Sequence, residues 1–141
     1  MDENELMEMA VNNSKNDSIV KLNSFKIARD KKMILNDLNL NKNEEQVILN
    51  KLLNYRLVDE IKDIEVGNYI RWISIKEDVE EIKLTTGGHI ITLEIENDGL
   101  HIKCKNRLNN IFEIRLDENI IFQKLTDQEE LLLKVIDYLE T

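Results

Sequence analysis

The sequence predicts an α+β fold: a small antiparallel β-meander or SH3-like barrel, with an N-terminal helical segment and a C-terminal helix. Between residues 81 and 116, short alternating runs of apolar and polar residues are separated by Gly87-Gly88 and Asp98-Gly99, dipeptides that favour tight hairpin turns. Apolar residues at helical spacing follow Asn41, and a helix-capping sequence begins at Thr126. Strands in the middle with helices on both sides give the α+β class.

Length and composition are those of one globular domain, because 141 residues with 42% hydrophobic and 33% charged residues can bury a core. We expect a flexible acidic arm at 1–17, a helical or extended segment at 18–60, and the β-barrel with its C-terminal helix at 61–141. The arm has few large apolar side chains, Leu6 and Met9 among them, and alone it cannot offset the entropy cost of ordering. It is either flexible or a short helix that orders on a partner.

The segment before the sheet contains one clear helix. Asn41 or Asn43 can cap it, and it extends to about Asn54. Its apolar face, which we expect to dock on the barrel, consists of Val47, Ile48, Leu52 and Leu53. Upstream, residues 34–40 favour a helical turn, whereas residues 19–27 fit a strand or an extended arm equally well.

A run at 69–75, just after Gly67, is apolar on both faces, as expected for a strand that is covered on each side. We therefore predict that it is the central or barrel-closing strand. Two further strands are predicted at 112–116, where apolar and charged residues alternate, and at 120–122, after a turn.

The turn at Asp98-Gly99 sets a register that the side chains can test. With these two residues as the turn, Ile95 lies opposite Ile102 and Glu94 lies opposite Lys103, so one face of the hairpin is apolar and the other is charge-matched. A three-residue loop would bring acids onto the apolar face, and we reject it.

A second hairpin is predicted at Gly87-Gly88, where the same reasoning sets Leu84 opposite Ile91 and continues the apolar row. The glycine pair lacks the Gly-Lys-Ser/Thr continuation and the following helix of a phosphate-binding loop. A turn therefore accounts for it.

The C-terminal helix is marked by a capping box, in which the Thr126 hydroxyl and the Glu129 carboxylate satisfy reciprocal backbone donors. We predict a helix from Asp127 to Glu140. Its apolar stripe is wider than one small barrel need cover, which favours a protein partner or a homo-oligomer; a helix wedged between the barrel and the N-terminal helices fits the pattern equally well. The residues that we expect to bind a partner are Leu6, Met9, Leu131, Val135 and Tyr138.

The formal net charge of −9 argues against non-specific binding to nucleic-acid phosphates, because such binding depends on Lys and Arg. Nucleic acid is therefore the less favoured partner. The charge is uneven, however, because residues 21–40 carry five basic residues and only two acids, Asp30 and Asp37. For the alternative function, a nucleic-acid-associated accessory factor, the contact residues would be Lys21, Lys26, Arg29, Lys31, Lys32, Lys103, Lys105 and Arg107.

Tyr69, Arg71 and Trp72 suggest a stacking surface for single-stranded nucleic acid, as small β-barrels can form. Tyr69 and Trp72 have opposite parity on a regular strand, however, so they cannot share a face. Aromatic residues make up only 5% of the chain, which leaves few rings for a platform. We assign Trp72 to the core.

No metal, cofactor or catalytic site is predicted. The only His and Cys residues are His89, His101 and Cys104, and the predicted register points His101 and Cys104 to opposite faces. The 28 acids place no carboxylate pair at a distinctive spacing. We therefore expect a non-enzymatic protein without a cofactor, and we assign Cys104 to the core.

The chain has a single cysteine, no run near the ~20 apolar residues of a membrane span, and an acidic start unlike a signal sequence. We expect an intracellular, cytoplasmic protein that does not enter a membrane.

Two short motifs carry a resemblance to a known group of proteins. They are Gly67-Asn68-Tyr69-Ile70-Arg71-Trp72-Ile73 and Thr86-Gly87-Gly88-His89-Ile90-Ile91, and together they resemble a small β-barrel module in poorly characterised proteins of giant DNA viruses. The resemblance covers residues 61–125 at most. It implies a viral origin and a virion or scaffold role, and it brings no catalytic residue. The expected function is a non-enzymatic protein-interaction or structural module, in a virus a minor structural component.

Overall fold

A computed structural model describes residues 3–12, 16 and 19–141 as an α+β fold, the predicted class. In chain order the elements are α1 (Glu3–Asn12), α2 (Ser24–Asn36), α3 (Lys42–Lys51), β1 (Tyr55–Val58), β2 (Tyr69–Ser74), β3 (Gly88–Glu96), β4 (Gly99–Lys105), β5 (Ile111–Arg115), β6 (Asn119–Lys124) and α4 (Asp127–Leu139). Single 3-10 turns lie at Ile19–Lys21, Ile61–Asp63 and Leu116–Glu118.

The six strands form one antiparallel sheet in the order β1-β6-β2-β3-β4-β5. The meander predicted from the sequence is confirmed in β3, β4 and β5, and β2 holds the central position predicted for it. The last strand in the sequence, β6, lies between β1 and β2. The sheet is not closed, since β1 and β5 are its two edges, and the predicted closure into an SH3-like barrel is not confirmed.

The sheet curls around its inner face. Two strands separate Trp72 on β2 from Phe112 on β5, yet their ring centroids lie 6.5 Å apart in an edge-to-face contact. Trp72 is buried, as predicted. The core enclosed by the curl consists of Val58, Ile64, Ile70, Trp72, Ile90, Leu100, Ile102, Cys104 and Ile121.

On the outer face of the sheet, helices cover only the side that contains β2 and β6. There α2 and α3 pack a second core on β2 and β6, made of Leu35, Ile48, Leu52, Ile73, Ile120 and Phe122. A third cluster joins α2, α4 and the first 3-10 turn through Ile19, Ile27, Leu132 and Leu133. Over β3, β4 and β5 the outer face is open to solvent and mostly polar, with Ile111 as an exposed apolar residue.

The predicted register of the first hairpin is wrong, although the predicted faces are right. Glu96 pairs with Gly99, and Ile95 pairs with Leu100, so the turn residues are Asn97 and Asp98. From Thr92 to Glu96, each residue of β3 therefore pairs with a β4 residue two positions earlier than predicted, and a β-bulge between Ile90 and Thr92 shifts the register once more. Because side chains alternate with a period of two, the two-residue shift leaves the apolar and charged faces unchanged.

The hairpin predicted at Gly87-Gly88 is wrong. Gly88 pairs with Ile70 of β2, and Leu84 forms an isolated bridge with Ile73 instead of facing Ile91. Gly87 has a φ of +84°, and a Cβ built on it would overlap the carbonyl oxygen of Ile70. The glycine pair thus lets the chain pass close to β2 in an unusual conformation, which is a second common use of glycine.

The helices follow their local signals. Asn41 caps α3 by accepting a hydrogen bond from the Glu44 N–H (2.8 Å), and both halves of the capping box at Thr126 are formed at the start of α4, as predicted.

The prediction of a strand or extended arm at 19–27 is wrong, because Asn23 caps α2 there. In the arm predicted at 1–17, α1 packs against α4, and residues 1–2, 13–15 and 17 lie outside the described part of the chain.

Two glycines with positive φ offer a matched test of the close approach. Gly67 has a φ of +93° but nothing within 4 Å of a Cβ, whereas Gly87 faces the Ile70 carbonyl. We expect Gly67→Ala to lower the free energy of unfolding by about 1 to 2 kcal/mol, the cost of the conformation alone. We expect Gly87→Ala to cost about 1 to 3 kcal/mol more because of the overlap. Urea unfolding measures both, and equal losses would contradict the close approach.

Candidate functional site

The predicted partner-binding residues of α4 fall into two groups. Leu131 and Val135 are half-buried in a helix that packs against α1 and the first 3-10 turn, which agrees with the wedged alternative. Tyr138, in contrast, is 79% exposed. Met9 on α1 is also exposed, and Leu6 has its backbone in α1 but a side chain outside the described part of the structure.

An apolar patch lies where the end of α4 meets the start of α2. The Ser24 N–H donates a hydrogen bond to Asp137 Oδ1 (3.0 Å). Phe25 and Tyr138 directly follow these two residues in the chain, one at the start of α2 and the other near the end of α4, and Phe25 is 73% exposed. Leu139, the next residue of α4, is 74% exposed. We name Phe25, Tyr138 and Leu139 the helical-end patch.

The predicted basic segment of α2 does not form one continuous phosphate-binding surface. Lys31 is buried, and its Nζ donates a hydrogen bond to the Leu52 carbonyl (2.7 Å); burial lowers the pKa of Lys31. Arg29 pairs with the neighbouring Asp30 at 3.3 Å. The exposed basic residues that remain there are Lys21 and Lys32, while Lys26 is half-buried.

A cleft of about 320 Å³ opens on the outer face, at the end of the sheet where β2 begins and β4 ends. We name it the arginine cleft. Its lining residues are Tyr69, Arg71, Thr86, Gly87, Asn106, Arg107 and Leu108. No Asp or Glu is among them, although the chain contains 28 acids. The cleft is therefore a locally cationic site on an acidic protein.

The loop before β3 holds the polar groups of the arginine cleft in place. Arg71 Nε donates a hydrogen bond to the Thr85 carbonyl (2.8 Å), and the Tyr69 hydroxyl donates one to the Thr86 carbonyl. These bonds fix one edge of the guanidinium and leave its terminal nitrogens free of a salt bridge within the described residues. Arg107 enters from the loop after β4, where it is exposed.

At the opposite end of the outer face, His101 stands among acids. Its Nε2 lies 2.7 Å from Asp98 Oδ1 and 3.5 Å from Glu96 Oε2, and its Nδ1 lies 3.7 Å from Glu113 Oε1. The hydrogen bond to Asp98 raises the pKa of His101 and lowers the pKa of Asp98. Arg115 pairs with further acids beside them, at 2.6 Å from Asp117 Oδ2.

The sequence did not predict that acids surround His101, and the structure shows this cluster. Within the described residues, Glu96, Asp98 and His101 are the set whose ligand atoms are close enough for one metal ion, all within 4.8 Å. The ring nitrogen that such an ion would need, His101 Nε2, already lies 2.7 Å from Asp98 Oδ1. Cys104 lies on the inner face, away from His101 as predicted, and burial raises the pKa of its thiol to about 12, which keeps it unreactive at neutral pH.

Sequence reasoning named Arg107 as a basic contact, and it considered Tyr69 and Arg71 as part of a stacking surface that it then discounted, but it did not bring the three residues together. Tyr69 and Arg71 share a face of β2, a parity that the sequence shows. Their meeting with Arg107 depends on the pairing of β2 with β3, which the predicted Gly87-Gly88 hairpin excluded. Phe25 was missed because the start of α2 was not recognised.

No protein-family model, curated protein or solved structure matches the chain. The resemblance to giant-virus modules therefore stays a prediction. In the described part of the chain, every helix is too short or too polar to cross a membrane.

The interaction of His101 with Asp98 predicts a pH dependence. Because the folded pKa of His101 is raised, its protonated form stabilises the fold; this contribution is full below the unfolded value of ~6.5 and is lost as the pH rises through the folded pKa. We expect Asp98→Asn to lower the pKa of His101, followed by the ring signals in an NMR titration. Asp59→Asn, an equal charge change at an exposed residue just after β1 at the opposite edge of the sheet, is the control. An unchanged pKa in Asp98→Asn would contradict the assignment.

Proposed function

We propose that this chain is a non-enzymatic structural module that associates with a second copy of itself through the helical-end patch. The observation that supports the proposal is that two aromatic side chains and a leucine are exposed at the two helix ends that the Ser24–Asp137 hydrogen bond joins. Aromatic side chains are enriched in protein interfaces and supply much of their binding energy. We include in the same proposal that the curled sheet is SH3-like and that the protein is a minor structural component of a virus.

The patch is held in one conformation before any partner arrives. Besides the Ser24–Asp137 bond, the Asn23 side chain donates a hydrogen bond to Glu140 Oε2 (2.5 Å), so both helix ends are tied together. A surface that is already ordered loses less entropy when it binds. Because the helix ends are already fixed, two copies can associate even if their interface buries only a modest surface area.

The charges beside the patch favour a second copy as the occupant. The α2 side carries Lys26, since Arg29 beyond it is paired with Asp30, whereas the α4 side carries Asp137 and Glu140. A two-fold axis through the patch brings the α2 side of one copy against the α4 side of the other. Opposite charges then face each other twice, around an apolar centre.

Charge introduced into the patch tests this proposal. The parent should elute in light scattering with twice the monomer mass of 16.6 kDa, and Phe25→Glu or Tyr138→Glu should give a folded monomer, because each buries a carboxylate in the interface. Ile95→Glu is the matched control, since Ile95 is 75% exposed on the far hairpin. A parent that is monomeric at every concentration would overturn the proposal, as would dissociation caused equally by Ile95→Glu.

A further inference from the structure

The arginines of this chain divide into two groups. The chain has five, and three of them pair with a carboxylate: Arg29 with Asp30, Arg56 with Glu129 and Arg115 with Asp117. The other two, Arg71 and Arg107, form no salt bridge within the described residues, and both line the arginine cleft. Unneutralised guanidinium groups that converge on one cleft make a site for an anion, and phosphate matches their planar donor geometry.

A row of aromatic and basic side chains crosses the outer face beside the cleft. Tyr55 pairs with Lys124 across β1 and β6, Tyr69 pairs with His89 across β2 and β3, and His89 pairs with Lys105 across β3 and β4. The rings of Tyr69 and His89 are in edge-to-face contact at 4.9 Å. Five adjacent strands contribute to the row, which therefore spans about 19 Å at the usual strand spacing.

Acids are confined to the other end of the same face. Glu94, Glu96 and Glu113 gather near His101, and Lys103 marks the boundary because its Nζ lies 3.5 Å from Glu94 Oε1. The cationic and aromatic groups thus form a stripe across the strands with an acidic border along one side, and the border confines a bound anion to the stripe.

We propose that the arginine cleft and this row bind a short segment of single-stranded nucleic acid, with phosphates on Arg71 and Arg107 and a base stacked on Tyr69. Aromatic rings interleaved with basic groups are the common means of binding single strands without sequence preference. Lys124 and Lys105, at opposite sides of Tyr69, favour a chain of phosphates over a single one. A duplex keeps its bases stacked inside, where the tyrosine ring cannot reach them. This function goes beyond self-association and uses a different surface from the helical-end patch.

The first test is electrostatic. A labelled single-stranded oligonucleotide of about 8 nucleotides is titrated with the full chain, and anisotropy reports binding at several salt concentrations. We expect Arg107→Glu, a change in an exposed loop, to weaken binding about tenfold or more, and Arg107→Ala to reduce the salt slope by about 0.7. Arg29→Glu and Arg29→Ala, the same changes on α2, are the controls and should leave affinity and slope near those of the parent.

The second test separates stacking from charge. Tyr69→Phe keeps the ring and should retain binding, whereas Tyr69→Leu should weaken it at least about fivefold. Thermal unfolding of both variants checks that the fold is intact. The proposal is overturned if the parent does not bind the oligonucleotide at low salt, if the Arg29 variants weaken binding as much as the Arg107 variants, or if folded Tyr69→Leu binds like the parent. Equal displacement by a mononucleotide or by inorganic phosphate would overturn the assignment to a nucleic-acid strand.

Discussion

The position of β6 between β1 and β2 is the constraint on which the rest of the structure depends. Five of its six residues are buried, with Phe122 in the core under α2 and α3 and Ile121 in the core inside the curl. Neither core is complete without it, and β1 would have no strand to pair with in the sheet. Because β6 is the last strand in the sequence, its pairing with β1 closes a long loop, a topology that favours slow folding. The same insertion places Lys124 between Tyr55 and Tyr69.

A buried polar seam connects this strand to α4. Arg56 and Gln123 face each other across β1 and β6, and Arg56 Nε lies 3.8 Å from Glu129 Oε2 in the first turn of α4. Gln123 donates a hydrogen bond to the Asp63 carbonyl (2.9 Å) and accepts one from the Glu65 N–H (3.1 Å). Buried polar groups are costly without partners, so these residues allow few alternative placements of the helix. A buried ion pair of this kind adds little net stability, because the cost of removing both charges from water offsets their attraction. The position of the helical-end patch, at the far end of α4, therefore depends on these buried contacts.

Local signals in the sequence were sufficient for the elements whose ends they mark, and they failed where distant residues decide. The Thr126 capping box and the Asn41 cap are short-range hydrogen-bond patterns, and both helices begin where predicted. Gly87-Gly88 satisfies a hairpin turn just as well as it satisfies a close pass beside β2, and only the presence of β2 distinguishes them. The Asp98-Gly99 register was wrong because a shift of two residues conserves both faces, so side-chain patterning cannot detect it. The arginine cleft could not be predicted from the sequence, since its parts meet through strand pairs that are far apart in the chain.

Net charge proved a poor guide to where an anion can bind. An average of −9 over the chain describes long-range attraction, whereas a bound phosphate responds to the few groups within reach of it. With 28 acids available, a sheet face shaped by stability alone would set carboxylates opposite its cations, as it does for Lys103 and Glu94. Arg71 and Arg107 instead line one cleft at one end of the outer face, near Lys105, and the lining of that cleft contains no acid. Grouping like charges in this way destabilises the free protein, and local departures from the stabilising pattern are typical of binding sites. The unneutralised cations are therefore the observation on which the proposed nucleic-acid site rests, and the acidic average over the chain does not bear on it.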